Sequence, residues 1–219
     1  MITAYQFVEL LADAPDLPEM FNPFRDRCLI HDLPNGPEIR KKNLEKYLEA
    51  HQRLNSKVLW VAEAASYNGS RRSGLFFIPE TQFSAAAKLI NAQPFEKATH
   101  TSSRASLTAT FLWESILALP APPLTFNALP FHPHLANRQL SNRTPSKKEL
   151  GQNLQYLETL IQWFQPEVIV AIGRKAEYSC SKLGVKATYA RHPSQGGQSY
   201  FRKTIKEIYH TWPINKLAS

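Results

Sequence analysis

The sequence is poor in cysteine and has no long hydrophobic run, and each absence narrows the range of possible proteins. Cys28 and Cys180 are the only cysteines, so the chain alone cannot supply the four thiolates of a zinc or iron–sulfur site. Two thiols could form one disulfide, although an intracellular protein usually keeps them reduced. No apolar run reaches the roughly 18 residues that a membrane span needs, so we expect none.

Several other common signals are also missing. The segment MITAYQFVELLADAPD contains acids and no basic residue, which does not fit a secretory signal peptide. The chain has no Gly-x-Ser-x-Gly elbow, no phosphate-binding P-loop and no internal repeat. We therefore expect a globular cytoplasmic protein without a membrane segment.

What the sequence does contain is an excess of basic residues. Lys and Arg number 26 against 18 Asp and Glu, which gives a net charge of +8 and an isoelectric point near 9.5. This balance favours an anionic partner, and nucleic acid is the commonest one. Because the basic residues are dispersed, a basic protein without such a partner remains an alternative.

The order of hydrophobic patterns predicts an α/β fold. Predicted strands at 57–62, 124–129, 167–172 and 186–191 alternate with helical patterns at 3–12, 38–54, 82–91, 106–118, 147–164, 174–183 and 198–210. Such alternation favours a mainly parallel, four-stranded sheet in a three-layer α/β/α sandwich. We expect one monomeric domain over residues 1–219, with an N-terminal helical extension to about residue 55 and a core over about 56–212.

Two distant segments carry the residues best suited to chemistry. Residues 61–77 bring a carboxylate, Glu63, to the end of one predicted strand, and residues 190–197 bring an imidazole, His192, to the end of another. Strand ends of a parallel sheet are where such folds build their binding crevices. An acid and a histidine there suit the breaking of a bond that leaves an anion.

Three short motifs resemble those of the uracil-DNA glycosylase superfamily. They are Ala62-Glu63-Ala64-Ala65-Ser66 followed by Gly74-Leu75-Phe76-Phe77, then Thr125-Phe126-Asn127, then His192-Pro193-Ser194. Their order is that of the superfamily, and the resemblance spans roughly residues 55–210. It implies the superfamily fold and a monofunctional DNA glycosylase, which would hydrolyse the N-glycosidic bond of a flipped-out uracil or modified pyrimidine and leave an abasic site.

The resemblance also implies roles for individual residues. Glu63 would stabilise the oxocarbenium-like sugar and orient a water, and His192 would donate a hydrogen bond to the departing base. The base would be bound by Asn127, Phe77, Ala64 and Ser66. Each residue also has an ordinary structural interpretation: an exposed acid, a loop histidine, a strand-end amide or a core aromatic ring.

DNA contacts are expected from the second segment and from nearby basic residues. Candidates around the glycine-rich turn are Ser194, Gln195, Gly196 and Gly197. Candidates for phosphate contacts are Arg71, Arg72 and Arg191, with Arg104, Arg202 and Lys203 as weaker ones. His132 and His134 have a spacing that can bind metal, but with no carboxylate or cysteine nearby in sequence we expect no metal and no cofactor, and favour a place at the pocket rim or against DNA.

Departures from the superfamily pattern leave the substrate open. Ala62, Ala65 and Ser66 replace the usual Gly-Pro-Gly skeleton of the first turn, and Phe76 replaces a Pro. Ser66 is also small where one branch uses a Tyr to exclude bases with a C5 substituent, and Gln195 stands where some members carry an apolar wedge.

The alternatives are therefore removal of uracil, removal of a bulky modified cytosine from phage DNA in antiviral defence, and DNA binding without catalysis. An unrelated hydrolase using Glu63 and His192 is a further alternative. The DNA partner could be single- or double-stranded.

Overall fold

The sheet at the centre of the protein is parallel and has four strands. The computed structural model describes residues 2–102 and 107–211. The strands run in the order β3-β2-β5-β6, with bounds β2 Val58–Ala64, β3 Leu124–Leu129, β5 Val168–Ile172 and β6 Thr188–Ala190. Every neighbouring pair is parallel. The predicted fold class is confirmed.

Helices connect the strands and cover the sheet. They are α1 Ala4–Ala12, α2 Gly36–Arg53, α3 Ser70–Ser73, α4 Phe83–Leu89, α5 Leu107–Leu117, α6 Lys147–Gln152, α7 Leu154–Phe164, α8 Arg174–Lys182 and α9 Gln198–Thr211, with a 3₁₀ turn at Glu80–Gln82. No helix in residues 2–102 and 107–211 is long and apolar enough to cross a membrane.

The helix predicted over 147–164 is divided, contrary to expectation. Ser146 and Glu149 form a capping box at its start. Asn153 then leaves helical geometry, and its side-chain amide donates to the Glu149 carbonyl at 2.7 Å. Because an Asn side chain competes with the backbone for such carbonyls, α6 ends there and α7 starts at Leu154.

A small antiparallel pair was not predicted. Strand β1 (Met20–Phe21) pairs with β4 (His132–Pro133). Two-residue strands carry no periodicity that a sequence pattern can reveal. The pair joins the N-terminal segment to the loop that follows β3, close to the carboxyl edge of the main sheet.

Both faces of the sheet are covered by aromatic contacts. Val61 of β2 is in register with Phe126 of β3, so Trp60 lies on the opposite face from Phe126. The ring of Phe126 packs on Phe7 of α1 at 5.9 Å, and the ring of Trp60 packs edge-on against Phe201 of α9 at 5.5 Å. This two-sided burial explains why the strands are almost continuously apolar.

The register brings the carboxyl ends of all four strands to one edge. Pairs near this edge are Val61 with Ala171, Ala62 with Asn127, and Ile172 with Ala190, and the last pair of β2 with β3 is Ala64 with Leu129. Glu63 follows Ala62 directly in β2, and His192 lies two residues beyond β6. The acid and the imidazole therefore lie at the same edge of the sheet.

Removing the Phe126 ring should destabilise the protein strongly. Its ring is 1% exposed and contacts Phe76 at 4.5 Å as well as Phe7. We expect Phe126→Ala to lower the free energy of unfolding in urea by about 3–5 kcal/mol. Tyr5→Ala is the matched control, because Tyr5 is 61% exposed on α1; its change should stay within roughly 0.5 kcal/mol. Equal losses in the two variants would contradict this account of the core.

Candidate active site at the carboxyl edge of the sheet

Glu63 is a half-buried acid with two polar neighbours. It is the penultimate residue of β2. Burial raises the pKa of its carboxyl group above the ordinary value of 4.5, while a hydrogen bond from Thr144 and the charge of Lys175 act in the opposite direction. A carboxylate that is partly desolvated, yet supported by a hydroxyl and an ammonium group, is suited to an electrostatic role.

Thr144 and Lys175 were not predicted as site residues. Thr144 lies just before the Ser146 cap of α6, and Lys175 lies in the first turn of α8 directly after β5. The Lys175 ammonium donates to the Pro145 carbonyl at 2.8 Å, which fixes it beside the same segment. The sequence signal for Lys175 was its position just after the predicted strand end at Gly173; Thr144 had none.

His192 is partly buried and has a defined tautomer. The backbone N–H of Ser194 donates to its Nδ1 at 3.2 Å, and the Ser194 hydroxyl lies 2.8 Å from the same atom. Nδ1 is therefore an acceptor, so we assign the proton of the neutral ring to Nε2. Burial lowers the pKa of His192 below 6.5. At neutral pH this side chain offers an uncharged N–H donor.

Two glycines let the chain approach His192 closely. Gly173 ends β5 with a φ of +86°, and a Cβ there would lie 3.6 Å from the Cβ of His192. At Gly197 a Cβ would lie only 2.0 Å from the His192 carbonyl oxygen. Only glycine fits at Gly197, so this residue determines how the start of α9 packs against the histidine.

Asn127 lies in the row of β3 that pairs with β2. It is 2% exposed and in register with Ala62, one residue before Glu63. Its side-chain amide has no hydrogen-bond partner among the described residues. Since buried amides are normally bonded, an unpaired amide at this edge of the sheet is available to a ligand.

Phe77 differs from its neighbour Phe76 in both burial and backbone. Phe76 is 1% exposed and stacks edge-on against Phe126 in the core. Phe77 is only partly buried and has a φ of +67°. A bulky residue in the left-handed region is strained, and such strain is concentrated at functional sites. Of the two, Phe77 is the one exposed enough to stack on a base.

The first turn presents small side chains beside the acid. Ala64 and Ser66 are partly exposed, whereas Ala65 is buried. The Ser66 carbonyl accepts hydrogen bonds from Gly69 and Arg71, which closes the turn. At Ser66 the turn therefore carries only a hydroxymethyl group and no aromatic ring.

Tyr67, which was not predicted as a site residue, follows this turn and is fixed by a histidine. Its hydroxyl lies 2.6 Å from Nε2 of His31. Its backbone N–H donates to the side chain of Asn142 at 2.8 Å. His31 also bonds Thr101 through Nδ1 at 2.9 Å. The three partners, His31, Thr101 and Asn142, come from separate parts of the chain, which is why no sequence motif marked them.

The buried positions of Arg71 and Arg72 argue against the predicted phosphate contacts. They are 2% and 4% exposed. Arg71 donates to Nδ1 of His132 and to the Gln139 carbonyl, and its guanidinium lies 3.9 Å from the ring centre of Phe21. Arg72 donates to the side chains of Thr99 and Thr101. Both guanidinium groups bind loops inside the protein.

His132 and His134 also lie inside the protein. Burial and the charge of Arg71 lower the pKa of His132 to about 3, and its Nε2 lies 2.8 Å from the Ser141 carbonyl. His134 is 9% exposed and bonds the Leu135 carbonyl. In the part of the chain that the structure describes, no group of three or more His, Cys, Asp or Glu could hold a metal.

The turn is exposed at 194–196, but Gly197, also predicted to contact DNA, is buried and its N–H donates to the Ser194 carbonyl. Ser194, Gln195 and Gly196 are exposed, and Gln195 and Gly196 both have positive φ. Arg191 is exposed as well, and its guanidinium lies over the ring of Tyr200 at 5.2 Å. The two weaker candidates on α9 are paired with surface acids, Arg202 with Glu114 and Lys203 with Glu207. Arg104 lies outside the described residues.

These observations define a class: a three-layer α/β/α protein whose candidate active site lies at the carboxyl edge of a four-stranded parallel sheet. A family model, described as the Uracil DNA glycosylase superfamily, matches residues 49–218. The chain therefore belongs to this superfamily, whose members act on DNA and generally hydrolyse N-glycosidic bonds. A comparison with the curated proteins gives no match.

A methyl group at Gly197 should displace His192. We expect Gly197→Ala to lower the melting temperature and to alter the imidazole resonances of His192 in NMR spectra, because the added Cβ collides with the His192 carbonyl. Gly151→Ala is the matched control, since a Cβ there meets nothing within 4 Å and alanine favours helix. If the two variants behave alike, Gly197 does not position the histidine.

Proposed function

We propose that this protein is a monofunctional DNA glycosylase, which hydrolyses the N-glycosidic bond of a flipped-out uracil and leaves an abasic site. The observation that carries the proposal is the pairing of a half-buried, supported carboxylate with a neutral imidazole at one sheet edge. N-glycosidic cleavage develops positive charge on the sugar and negative charge on the base. The two groups have the chemistry that these opposite charges need.

Glu63 acts on the sugar side of the bond. As a carboxylate it stabilises the oxocarbenium-like sugar and orients the attacking water. The Thr144 hydroxyl and the Lys175 ammonium act against the rise in its pKa that burial causes. The water then adds to C1′ and gives its proton to the Glu63 carboxylate, while the bonding electrons leave with the base.

His192 acts on the base side. With Nδ1 occupied by Ser194, the Nε2–H donates to a carbonyl oxygen of the base as negative charge develops there. A neutral donor stabilises an anion without first having to be protonated. The unpaired amide of Asn127 reads one edge of the same base, Phe77 stacks on its face, and Ala64 and Ser66 form part of the pocket wall.

The exposed residues 194–196 of the turn and the side chain of Arg191 bind the DNA backbone. Backbone amides of the turn at the start of α9 suit phosphate oxygens, and Arg191 adds charge at the same place. Binding should therefore weaken steeply as salt is raised.

A modified cytosine is the second candidate base. The observation in its favour is the partly exposed Ser66, which presents no ring where a bulky C5 substituent would lie. Removal of such a base from phage DNA would make the protein a defence enzyme. The chemistry at Glu63 and His192 would be the same.

Base release from matched oligonucleotides tests the proposal. Oligonucleotides containing uracil, unmodified cytosine or glucosylated hydroxymethylcytosine are incubated with the protein, and abasic sites are detected by alkali cleavage. We expect release of uracil, with Glu63→Gln slower by about 10²- to 10⁴-fold. Glu158→Gln removes an exposed carboxylate of α7 and should leave the rate unchanged.

The other outcomes assign different functions. Release from the modified cytosine alone would replace uracil as the substrate. Salt-sensitive DNA binding without release from any oligonucleotide would indicate a non-catalytic binder, and no DNA affinity at moderate salt would favour hydrolysis of a substrate other than DNA. Strand breakage before alkali, or a borohydride-trapped adduct, would contradict the monofunctional mechanism.

The pH profile should depend on Lys175. Since burial raises the pKa of Glu63, kcat/KM should fall with decreasing pH through a midpoint above 4.5. Lys175→Gln removes a charge that lowers this pKa, so the midpoint should move to higher pH. The control is Lys186→Gln, which removes an exposed lysine before β6. An unchanged midpoint in Lys175→Gln would remove Lys175 from the support of Glu63.

A further inference from the structure

The most exposed large apolar side chains of the described chain include two adjacent ones on a short turn. Leu29 is 80% exposed and Ile30 is 59% exposed. They are the two central residues of a turn that Cys28 and His31 close, with the His31 N–H donating to the Cys28 carbonyl at 3.2 Å. Turn centres normally carry Gly, Asn, Asp or Pro. Apolar side chains presented there indicate a contact with something outside the chain.

Hydrogen bonds and a buried ion pair fix the conformation of this turn. The Asp32 carboxylate accepts the Cys28 N–H at 2.8 Å, and it is paired at 2.9 Å with the fully buried Arg40. On the other side, the His31 carbonyl accepts the N–H of His100 at 2.9 Å. Because the turn is already ordered, its exposed apolar side chains lose less conformational entropy on binding than those of a flexible loop.

A continuous set of contacts joins this turn to the candidate active site. Within the turn, His31 bonds Tyr67, the residue that follows the Ser66 turn. The segment 137–144 also contacts both regions. Its Thr144 bonds Glu63, and the side chain of Asn142 accepts the N–H of Tyr67. The same segment forms the far wall of a groove beside Leu29. The turn and the acid are therefore linked by bonded contacts through Tyr67 and this segment.

The groove has the charge of a DNA-binding surface. It measures about 880 Å³ and is lined by Arg27, Cys28, Leu29, Ile30 and residues 137–141. Its charged side chains are Arg27 and Arg138, which are both exposed, and none of its lining residues is acidic. Guanidinium groups beside an apolar tip match a duplex, since phosphates flank a stack of bases.

We propose that Leu29, supported by Ile30, is the wedge that enters the duplex where the target nucleotide leaves the stack. Apolar wedges of Leu or Ile are a general means of holding an opened base step. The turn at 194–197 carries Gln195 in the place expected for an apolar residue. The wedge is thus displaced to a different loop on the same face, with Arg27 and Arg138 on the neighbouring phosphates. This inference rests on the proposed function.

The experiment compares duplex with single-stranded substrate. A single strand has no stack to fill, so we expect Leu29→Ala to lower kcat/KM on a uracil duplex by about tenfold or more and to leave the single-strand value unchanged. Leu29→Met keeps an apolar tip and should retain duplex activity. Leu54→Ala is the control, because Leu54 is 43% exposed just before β2, at the amino edge of the sheet.

A second measurement requires no base release. A duplex carrying 2-aminopurine beside a tetrahydrofuran abasic analogue should brighten on binding the wild-type protein and stay dim with Leu29→Ala, because the unfilled step remains stacked. Melting temperatures of the variants should equal that of the wild type, since the substituted side chain is exposed.

The outcomes separate the two ideas. Equal activity of wild type and Leu29→Ala on the duplex, or equal losses on duplex and single strand, would overturn the wedge. Unchanged DNA behaviour with an altered sedimentation coefficient would instead assign the turn to self-association. Absence of base release by the wild type from every oligonucleotide would overturn the proposed function, while the fluorescence still decides whether Leu29 enters the stack.

Discussion

Parallel pairing of β2 with β3 on one side and β5 on the other is the constraint on which the rest of the structure depends. In a parallel sheet all carboxyl ends lie at one edge, so residues far apart in sequence become neighbours there. The aromatic contacts on the two faces hold this register, because a shift by one residue would turn every strand side chain to the opposite face. The positions of the site residues therefore depend on the core packing that holds this register.

The chemistry of the site depends on controlled burial. Half-burial disfavours the charge of Glu63, and Thr144 and Lys175 offset this effect. His192 needs no such support, because burial and the Ser194 hydrogen bonds keep it neutral with its proton on Nε2. The surroundings of Glu63 and His192, and not their residue types alone, thus suit them to stabilise opposite charges at one edge of the sheet.

Residues that looked alike in sequence have different roles in the structure. Arg71 and Arg72 belong to the first motif segment and resembled phosphate ligands, yet both are buried and bind neighbouring loops. Arg191, with the same side chain, is exposed. Nothing local distinguishes the three, because exposure depends on which loops fold over a residue. The exposed Leu29 is the converse case, an apolar residue that the fold leaves in solvent.

The sequence by itself determined the four strands, most helices, the cap at Ser146 and the superfamily, since these depend on short-range periodicity, local hydrogen bonding and motif order. It also placed Glu63, Asn127 and His192 at strand ends. Only the tertiary structure decided that Asn153 divides a helix, that Thr144 and Lys175 support the acid, and that the turn with Leu29 lies beside the site. Those features arise from contacts between distant segments, and such contacts form only when the sheet and its loops pack together.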